Sequence, residues 1–516
     1  MDLFVGGREI RLRAPVTLFF EWDPLVAAAN ILAGHALYRG LLWCLVILLP
    51  TLFLGRFFCG WICPMGTLQH LVGKLQSEAK RGKRRIESNR YKRWQTIKYV
   101  VLIAGLVAAL FGSAAIGWID PFSLLVRSFG LAILPAVNSA ANATLTPLEH
   151  SPMGWVRSAS TTLLTVLHHT VLDLRQPHFA QGLALGGLFL AILFLSLRVT
   201  RIWCRAICPL GALLGAVSRW SVFGLHKNNE RCTQCNHCLL NCQGGDDPVG
   251  GVPWRKSECL MCGNCLGSCP EHALEFRFFR KEKEVASPDL GRRRAISGLA
   301  AGAAVVPLMR ANTGLGKGRH ERLLRPPGSL DEPDFLSRCI RCGECMKGCP
   351  NNALHPTLDE AGLEGLWSPM LVPRIGYCEP SCTHCSTVCP TGAIWQISPQ
   401  EKGWVEGLGK ARNQPVRLGT AFYDRGRCLP WAMAIECIVC EEWCPVSPKA
   451  IFVQETQVVD AAGNTKTLKQ PRVDPSRCVG CGACEYACPL QDRPAIYVTS
   501  IGESRSPSSQ ILLTQK

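Results

Sequence analysis

The chain has 516 residues, 29 cysteines, 47% hydrophobic residues and a formal net charge of +17, so it has room for several domains. Cysteine-rich disulfide scaffolds belong to small secreted domains, which a chain of this length excludes. A basic balance without a DNA- or RNA-binding motif excludes a nucleic-acid partner and leaves an anionic membrane face or an acidic partner.

The apolar residues are concentrated in roughly the first 200 positions. Residues 1–35 carry no clear signal peptide, since the stretch from Val16 to Phe20 is too short for an apolar core. Ala36 to Leu54 is long and apolar enough to predict a membrane span, and it runs into Arg56-Phe-Phe-Cys59-Gly-Trp-Ile-Cys63-Pro64. Cys44, inside that span, reads as an ordinary packed thiol. Between Arg56 and Lys98 there are 11 Lys or Arg against Glu78 and Glu87, which marks a cytoplasmic loop.

Tyr99 to Ile119, 21 residues without a charge, predicts a second span. In the next loop Arg127, Arg157 and Arg175 are balanced by Asp120, Glu149 and Asp173, so it belongs outside. Phe122–Ala136 and Ser158–Leu174 in that loop read as surface-lying or re-entrant helices. Ala180 to Leu197 predicts a third span and leads into Arg201-Ile-Trp-Cys204-Arg-Ala-Ile-Cys208-Pro209, repeating the earlier pattern. Cysteines four apart share a helix face, so the two pairs can present four thiolates to one another. A shared metal or cluster at Cys59, Cys63, Cys204 and Cys208 is the favoured reading; a redox-active dithiol set and a structural role are the alternatives. His168 and His169 are candidates for ligating haem or relaying protons from a quinol, and Asp120 and Arg127 at the outer mouth of the second span for meeting a quinol, set against plain structural or interfacial roles. No glycine-rich nucleotide fingerprint follows a strand, which argues against a flavin or NAD site.

Six four-cysteine sets follow and account for 24 of the 29 cysteines. Four are regular: Cys232, Cys235, Cys238 and Cys242; Cys259, Cys262, Cys265 and Cys269; Cys339, Cys342, Cys345 and Cys349; Cys478, Cys481, Cys484 and Cys488. Two are looser: Cys378, Cys382, Cys385 and Cys389; Cys428, Cys437, Cys440 and Cys444. Three closely spaced cysteines and a fourth, mostly before proline, are what a [4Fe-4S] cubane needs, whereas structural zinc takes separated pairs. The last cysteine of each set ligates the neighbouring cluster in two-cluster ferredoxins, so six sets imply three modules and six clusters. With regular sets outside and loose sets inside, the last four suggest nested pairing, third with sixth and fourth with fifth. Short apolar pieces after the Cys-Pro dipeptides, such as Ala353-Leu354 and Ala450–Val453, predict strands that shield the clusters.

Between the second and third sets lies Arg292-Arg293-Arg294, followed by a small-residue apolar run to Met309. It has the look of a twin-arginine export signal lodged in mid-chain, the alternative being a basic linker with an Ala/Gly-rich helix.

Residues 1 to 285, with their paired Arg-x-x-Cys-x3-Cys-Pro motifs and first two sets, resemble the membrane ferredoxin-type subunit of the NapH/MauN type. Residues 289 to about 500, through the arginine run, Arg325-Pro-Pro-Gly-Ser-Leu and Cys339-Ile-Arg-Cys342-Gly-Glu-Cys345, resemble the partner ferredoxin of the NapG/MauM type. The resemblance implies a fusion that carries electrons between membrane quinol, or a cytoplasmic donor, and a periplasmic redox enzyme or cytochrome. The expected fold is an α-helical membrane domain of about three to four transmembrane helices followed by α+β bacterial-type ferredoxin modules. The boundaries are a membrane domain at 1–225, a two-cluster module at 226–285, an arginine segment and linker at 286–325, a four-cluster domain at 326–500 and a disordered tail at 501–516. The location is a bacterial inner membrane, the first module cytoplasmic and the four-cluster domain periplasmic. The alternative function is a maturation protein that supplies electrons for assembling a partner's metal centre.

Overall fold

Proline and glycine punctuate the helices of the first 220 residues. In the computed structural model, Asp23 Oδ1 accepts from the backbone N–H groups of Leu25 (2.8 Å) and Val26 (3.4 Å), and with Pro24 in the first turn it starts helix Pro24–Gly34. The structure describes all residues except 1, 6–7, 12–16, 36–38, 80–81, 174–175, 280–287, 311–319, 403–415, 460–462 and 506–516. The beginning of the expected first span and the tail past Arg505 therefore lie outside the described residues.

Two units emerge. One joins Thr17–Phe129 to Leu183–Leu308; the other joins Met1–Val16, Gly130–Gly182 and Met309–Lys516.

The first unit holds helices Leu45–Leu54, Pro64–Ala79, Ile97–Leu110, Gly182–Leu195 and Pro209–Val217. The expected second span stops at Leu110 rather than Ile119, because Gly112 takes a left-handed φ of 79° and the chain turns back. A short turn at Ala115–Trp118 then lies along the helix it left, with Ile116 filling the space a side chain at Gly105 would need. Asp120 and Pro121 begin a helical run through a π turn at Phe129–Ile133 to Glu149. Phe122–Ala136 is therefore not a surface-lying helix. Phe122, Leu124 and Leu131 are buried, and Arg127, whose charge suggested a break, donates to the Trp118 carbonyl at 3.0 Å. Lys83–Leu110 and Pro121–Glu149 are the two described helical runs long and apolar enough to cross a membrane.

The arginine segment forms one helix, Arg292–Arg310, of 19 residues, or about 28 Å. Gly298 and Gly302 pack it onto Ile97–Leu110; a Cβ at Gly302 would stand 2.6 Å from the Ala104 carbonyl oxygen and 2.7 Å from Val107 Cβ. Ile296, Leu299, Val305 and Leu308 of the same helix remain exposed.

Three modules close on short antiparallel pairings. Phe223–Lys227 pairs with Leu274–Phe278 around the first two cysteine sets, with Phe223 opposite Phe278. A bridge between Ser329 and Ile394 closes around sets three and four, and Thr420–Tyr423 pairs with Ile496–Thr499 around sets five and six. A hairpin, Ile451–Val459 with Thr465–Val473, is inserted between sets five and six. Leu354–Pro356 and Ile451–Val459 are strands at expected positions.

Candidate metal centres

Within each module the last cysteine of one set reaches the other set. Cys269 lines a cavity of about 340 Å³ with Cys232, Cys235 and Cys238, and Cys242 lies within electrostatic reach of Cys259, Cys262 and Cys265. Cys349 shares a cavity of about 420 Å³ with Cys378, Cys382 and Cys385, while Cys389 faces Cys339, Cys342 and Cys345. Cys488 joins Cys428, Cys437 and Cys440 around about 350 Å³, and Cys444 faces Cys478 and Cys481, with Cys484 beside them. Sets three and four thus pair, as do five and six, which overturns the nested order. The regularity of a set reflects local loop length; partnership is set by which strands close the module.

Backbone N–H groups point at the sulfurs from the residues after four of the five Cys-Pro dipeptides of the sets. Ala273 donates to Cys269 Sγ (3.4 Å), Ala353 to Cys349 (3.3 Å), Ile394 to Cys389 (3.4 Å) and Ala495 to Cys488 (3.4 Å). Two side chains that sequence reasoning missed do the same: Lys402 Nζ to Cys378 Sγ at 3.3 Å, and the Tyr423 hydroxyl beside Cys440 Sγ at 3.0 Å. Such donors stabilise added negative charge on thiolate ligands and so tune potential. Burial pushes the Cys242, Cys349 and Cys440 thiols up to about 11. As bare thiols these groups stay neutral at pH 7, and a bound cation is what deprotonates them.

The two Cys-x3-Cys-Pro repeats have the same local build. In each, the first cysteine sits on a short helix (Phe57–Trp61, Ile202–Ala206) and the second immediately precedes the next helix, which starts at proline (Pro64, Pro209). The two cysteines of a pair therefore do not share one continuous helix; the proline break swings the second towards the first. All four are buried and line one cavity of about 310 Å³ with Arg56, Phe58, Met65, Pro121, Leu210 and Gly211. Among the described residues no three metal-binding side chains converge closely enough for a single ion, yet this cavity approaches the size of the three ferredoxin cavities measured above. Gly211 N–H donates to Cys208 Sγ at 3.2 Å, repeating the donor pattern of the modules. Arg56, from the Arg-x-x-Cys motif, lies on the cavity with Nε and Nη2 buried and without protein acceptors, which suits an anionic occupant. The other motif arginine, Arg201, donates to the Cys59 carbonyl at 3.0 Å.

This quartet lies against the second cysteine set. Trp61 Nε1 donates to the Met261 carbonyl at 3.0 Å, Arg56 Nη1 to that of Ser257 at 2.8 Å, and a Cβ at Gly60 would be driven into the Leu260 carbonyl oxygen. The module is further held by a buried ion pair between Lys98 and Glu258 at 2.6 Å and by Asn89 Nδ2 donating to the Leu239 carbonyl at 2.9 Å.

Asp120 and Arg127 are both fully buried, and Pro121 next to Asp120 lines the quartet cavity. The Asp120 carboxyl lies close to that of Asp23, a residue that sequence reasoning did not single out; each accepts backbone N–H groups, Asp120 from Ser123 and Asp23 from Leu25. His168 and His169 line a groove of about 760 Å³ with Asn142, Thr146, Glu149, Leu164 and Thr165, between helices Leu134–Glu149 and Gly154–Thr170. His168 Nδ1 is buried there without a protein partner. Cys44 is half-buried in the turn that precedes Leu45–Leu54.

The comparisons agree with this chemistry. Models described as 4Fe-4S binding domains match residues 36–86 with 181–228, and residues 335–355. A 4Fe-4S dicluster domain matches 433–491, within the module formed by sets five and six. The chain is 34% identical to the ferredoxin-type protein NapG of Escherichia coli over 41% of its own length and 87% of that protein. It is 35% identical to the methylamine utilization ferredoxin-type protein MauM of Methylorubrum extorquens over 33% of this chain and 69% of the relative. It is 26% identical to the putative electron transport protein YccM of E. coli over 48% of this chain and 60% of the relative. No solved structure matches.

Proposed function

Because the chain belongs to the NapG/MauM family of ferredoxin-type proteins, we propose that it is a membrane-embedded electron carrier connecting the quinol pool, or a cytoplasmic donor, with a periplasmic redox protein. The observation that carries the reading is the division of loops between the two units. The basic loop packs with the first ferredoxin module: Asn89, Gln95 and Lys98 bond Leu239, Gly244 and Glu258. The end of the near-neutral stretch packs with the four-cluster domain: Asp173 pairs with Lys347, Asn352 donates to the His178 carbonyl at 2.8 Å, and the Phe179 and His355 rings pack with centroids 5.5 Å apart. If positive charge marks the inner face, the first module is cytoplasmic and the four-cluster domain periplasmic. Arg292–Arg310 is then a retained transmembrane helix, its glycine face on Ile97–Leu110 and its exposed apolar face on lipid.

In this reading each grouping of four cysteines holds a [4Fe-4S] cluster, which supplies one-electron chemistry when bound. Cys59, Cys63, Cys204 and Cys208 hold a seventh, for which the cavity size and the Arg56 donors are the support. The groove at His168 and Glu149 is where a quinol headgroup would find polar acceptors beside an apolar floor at Leu164. Iron analysis with spin quantitation tests the set: about 28 iron atoms per chain are expected, falling by about four in a Cys59→Ser/Cys204→Ser variant. Bound zinc in place of iron would refute it. A maturation role is the second reading, favoured only by the quartet lining a cavity of its own, distinct from those of the three modules. In that case the same variant loses output on the client enzyme while electrons still pass among the other six clusters.

A further inference from the structure

Three aromatic side chains meet on the surface of the four-cluster domain. Tyr377, Trp443 and Tyr486 have ring centroids 5.5–6.0 Å apart, and Trp443 and Tyr486 are 45% and 39% exposed. Each is tied to a different cysteine set: Tyr377 precedes Cys378, Trp443 precedes Cys444, and Tyr486 lies between Cys484 and Cys488. Beneath them the two modules touch, Cys378 N–H donating to the Cys481 carbonyl at 2.8 Å.

The local charge also departs from the rest of the chain. Glu379 follows Cys378, and Glu441 and Glu442 lead into Trp443, in a protein whose formal net charge is +17. Cations nearby are turned onto backbone carbonyls or a cysteine sulfur: Arg374 donates to the carbonyls of Glu485, Cys488, Leu490 and Gln491, Lys449 to that of Glu441, and the buried Lys402 to those of Glu379 and Cys382 and to Cys378 Sγ. Exposed aromatic groups with a rim of carboxylates form a surface that recognises a complementary, positively charged rim.

We propose that the Tyr377–Trp443–Tyr486 face is the port at which the four-cluster domain docks a separate redox protein whose own redox group is ringed by basic residues. It goes beyond the electron-carrier reading and rests on it. The experiment uses the full chain in detergent with zinc-substituted mitochondrial cytochrome c, a basic and redox-inert probe, followed by fluorescence anisotropy at low and high salt. Expected is salt-sensitive binding that weakens at least tenfold in Glu441→Lys/Glu442→Lys and in Trp443→Ala/Tyr486→Ala, with iron content and cluster spectra unchanged. An acidic flavodoxin should fail to bind the native chain and gain binding to the charge-reversed variant. The charge-reversal variant carries the test alone if the aromatic variant loses iron. Native-like probe binding by the charge-reversed chain overturns the port, as does equal flavodoxin binding by the native chain. So does a native chain that self-associates through this face, becoming monomeric in Trp443→Ala/Tyr486→Ala with probe binding unchanged. Loss of iron from the native protein would instead count against the carrier reading itself.

Discussion

Replacing Lys402 by methionine should lower the potential of the cluster held by Cys349, Cys378, Cys382 and Cys385. Lys402 is almost fully buried, and its ammonium donates to Cys378 Sγ at 3.3 Å and to the Glu379 and Cys382 carbonyls at 2.7 Å each. Reduction adds one negative charge to the cluster, so a fixed positive charge favours the reduced form. At an effective dielectric of about 20 and a distance of about 6 Å, that interaction is worth roughly 3 kcal/mol. With about 59 mV per tenfold change for one electron, the expected shift is on the order of 100 mV downward. The assay is a redox titration followed by EPR on the native protein, Lys402→Met and Lys402→Arg. Arginine, keeping the charge, should retain most of the native potential. An unchanged or raised potential in Lys402→Met, with the cluster present, would refute the electrostatic assignment.

Other consequences can be checked in the same preparation. Cys389→Ser should disturb the cluster of Cys339, Cys342 and Cys345 and spare that of Cys378, Cys382 and Cys385; EPR of single-cluster variants distinguishes this from ligation within one set. Gly302→Leu, forced against Ala104 and Val107, should destabilise the packing of Arg292–Arg310 by about 1–3 kcal/mol, read as a lower midpoint of thermal unfolding in detergent, while Ala303→Leu on the exposed side should not. Burial lowers His355 to about 4, below its ordinary value near 6.5. The neutral ring thus contributes stability that is complete above about pH 6.5 and is lost as pH falls towards 4. Hydrogen exchange should show the Phe179 and His355 contact loosening over that window, and His355→Phe should remove the pH dependence.

Much of this architecture was legible in the residues. The Cys-x2-Cys-x2-Cys-x3-Cys spacing points to clusters because three ligands on one short loop have little freedom to do anything else, and the repeated Cys-x3-Cys-Pro motifs do meet in one cavity. Module pairing was not legible, because it depends on which strands close, and strands as brief as the bridge at Ser329 and Ile394 leave no periodic signal. The burial of Phe122, Leu124 and Leu131 was not legible either, because hydropathy counts Arg127 as polar surface and cannot see the charge turned back onto the Trp118 carbonyl. Lys402 and Tyr423 left no trace, since nothing in the chain sets apart a lysine or tyrosine that will later face a sulfur.

The most direct test of the central claim is sidedness, with one reporter fused after Lys516 and another inserted at Lys283. The first should report the periplasm and the second the cytoplasm, which makes Arg292–Arg310 a crossing and the chain a path from one face to the other. Both reporters on the cytoplasmic face would contradict it, leaving a carrier that serves one side only.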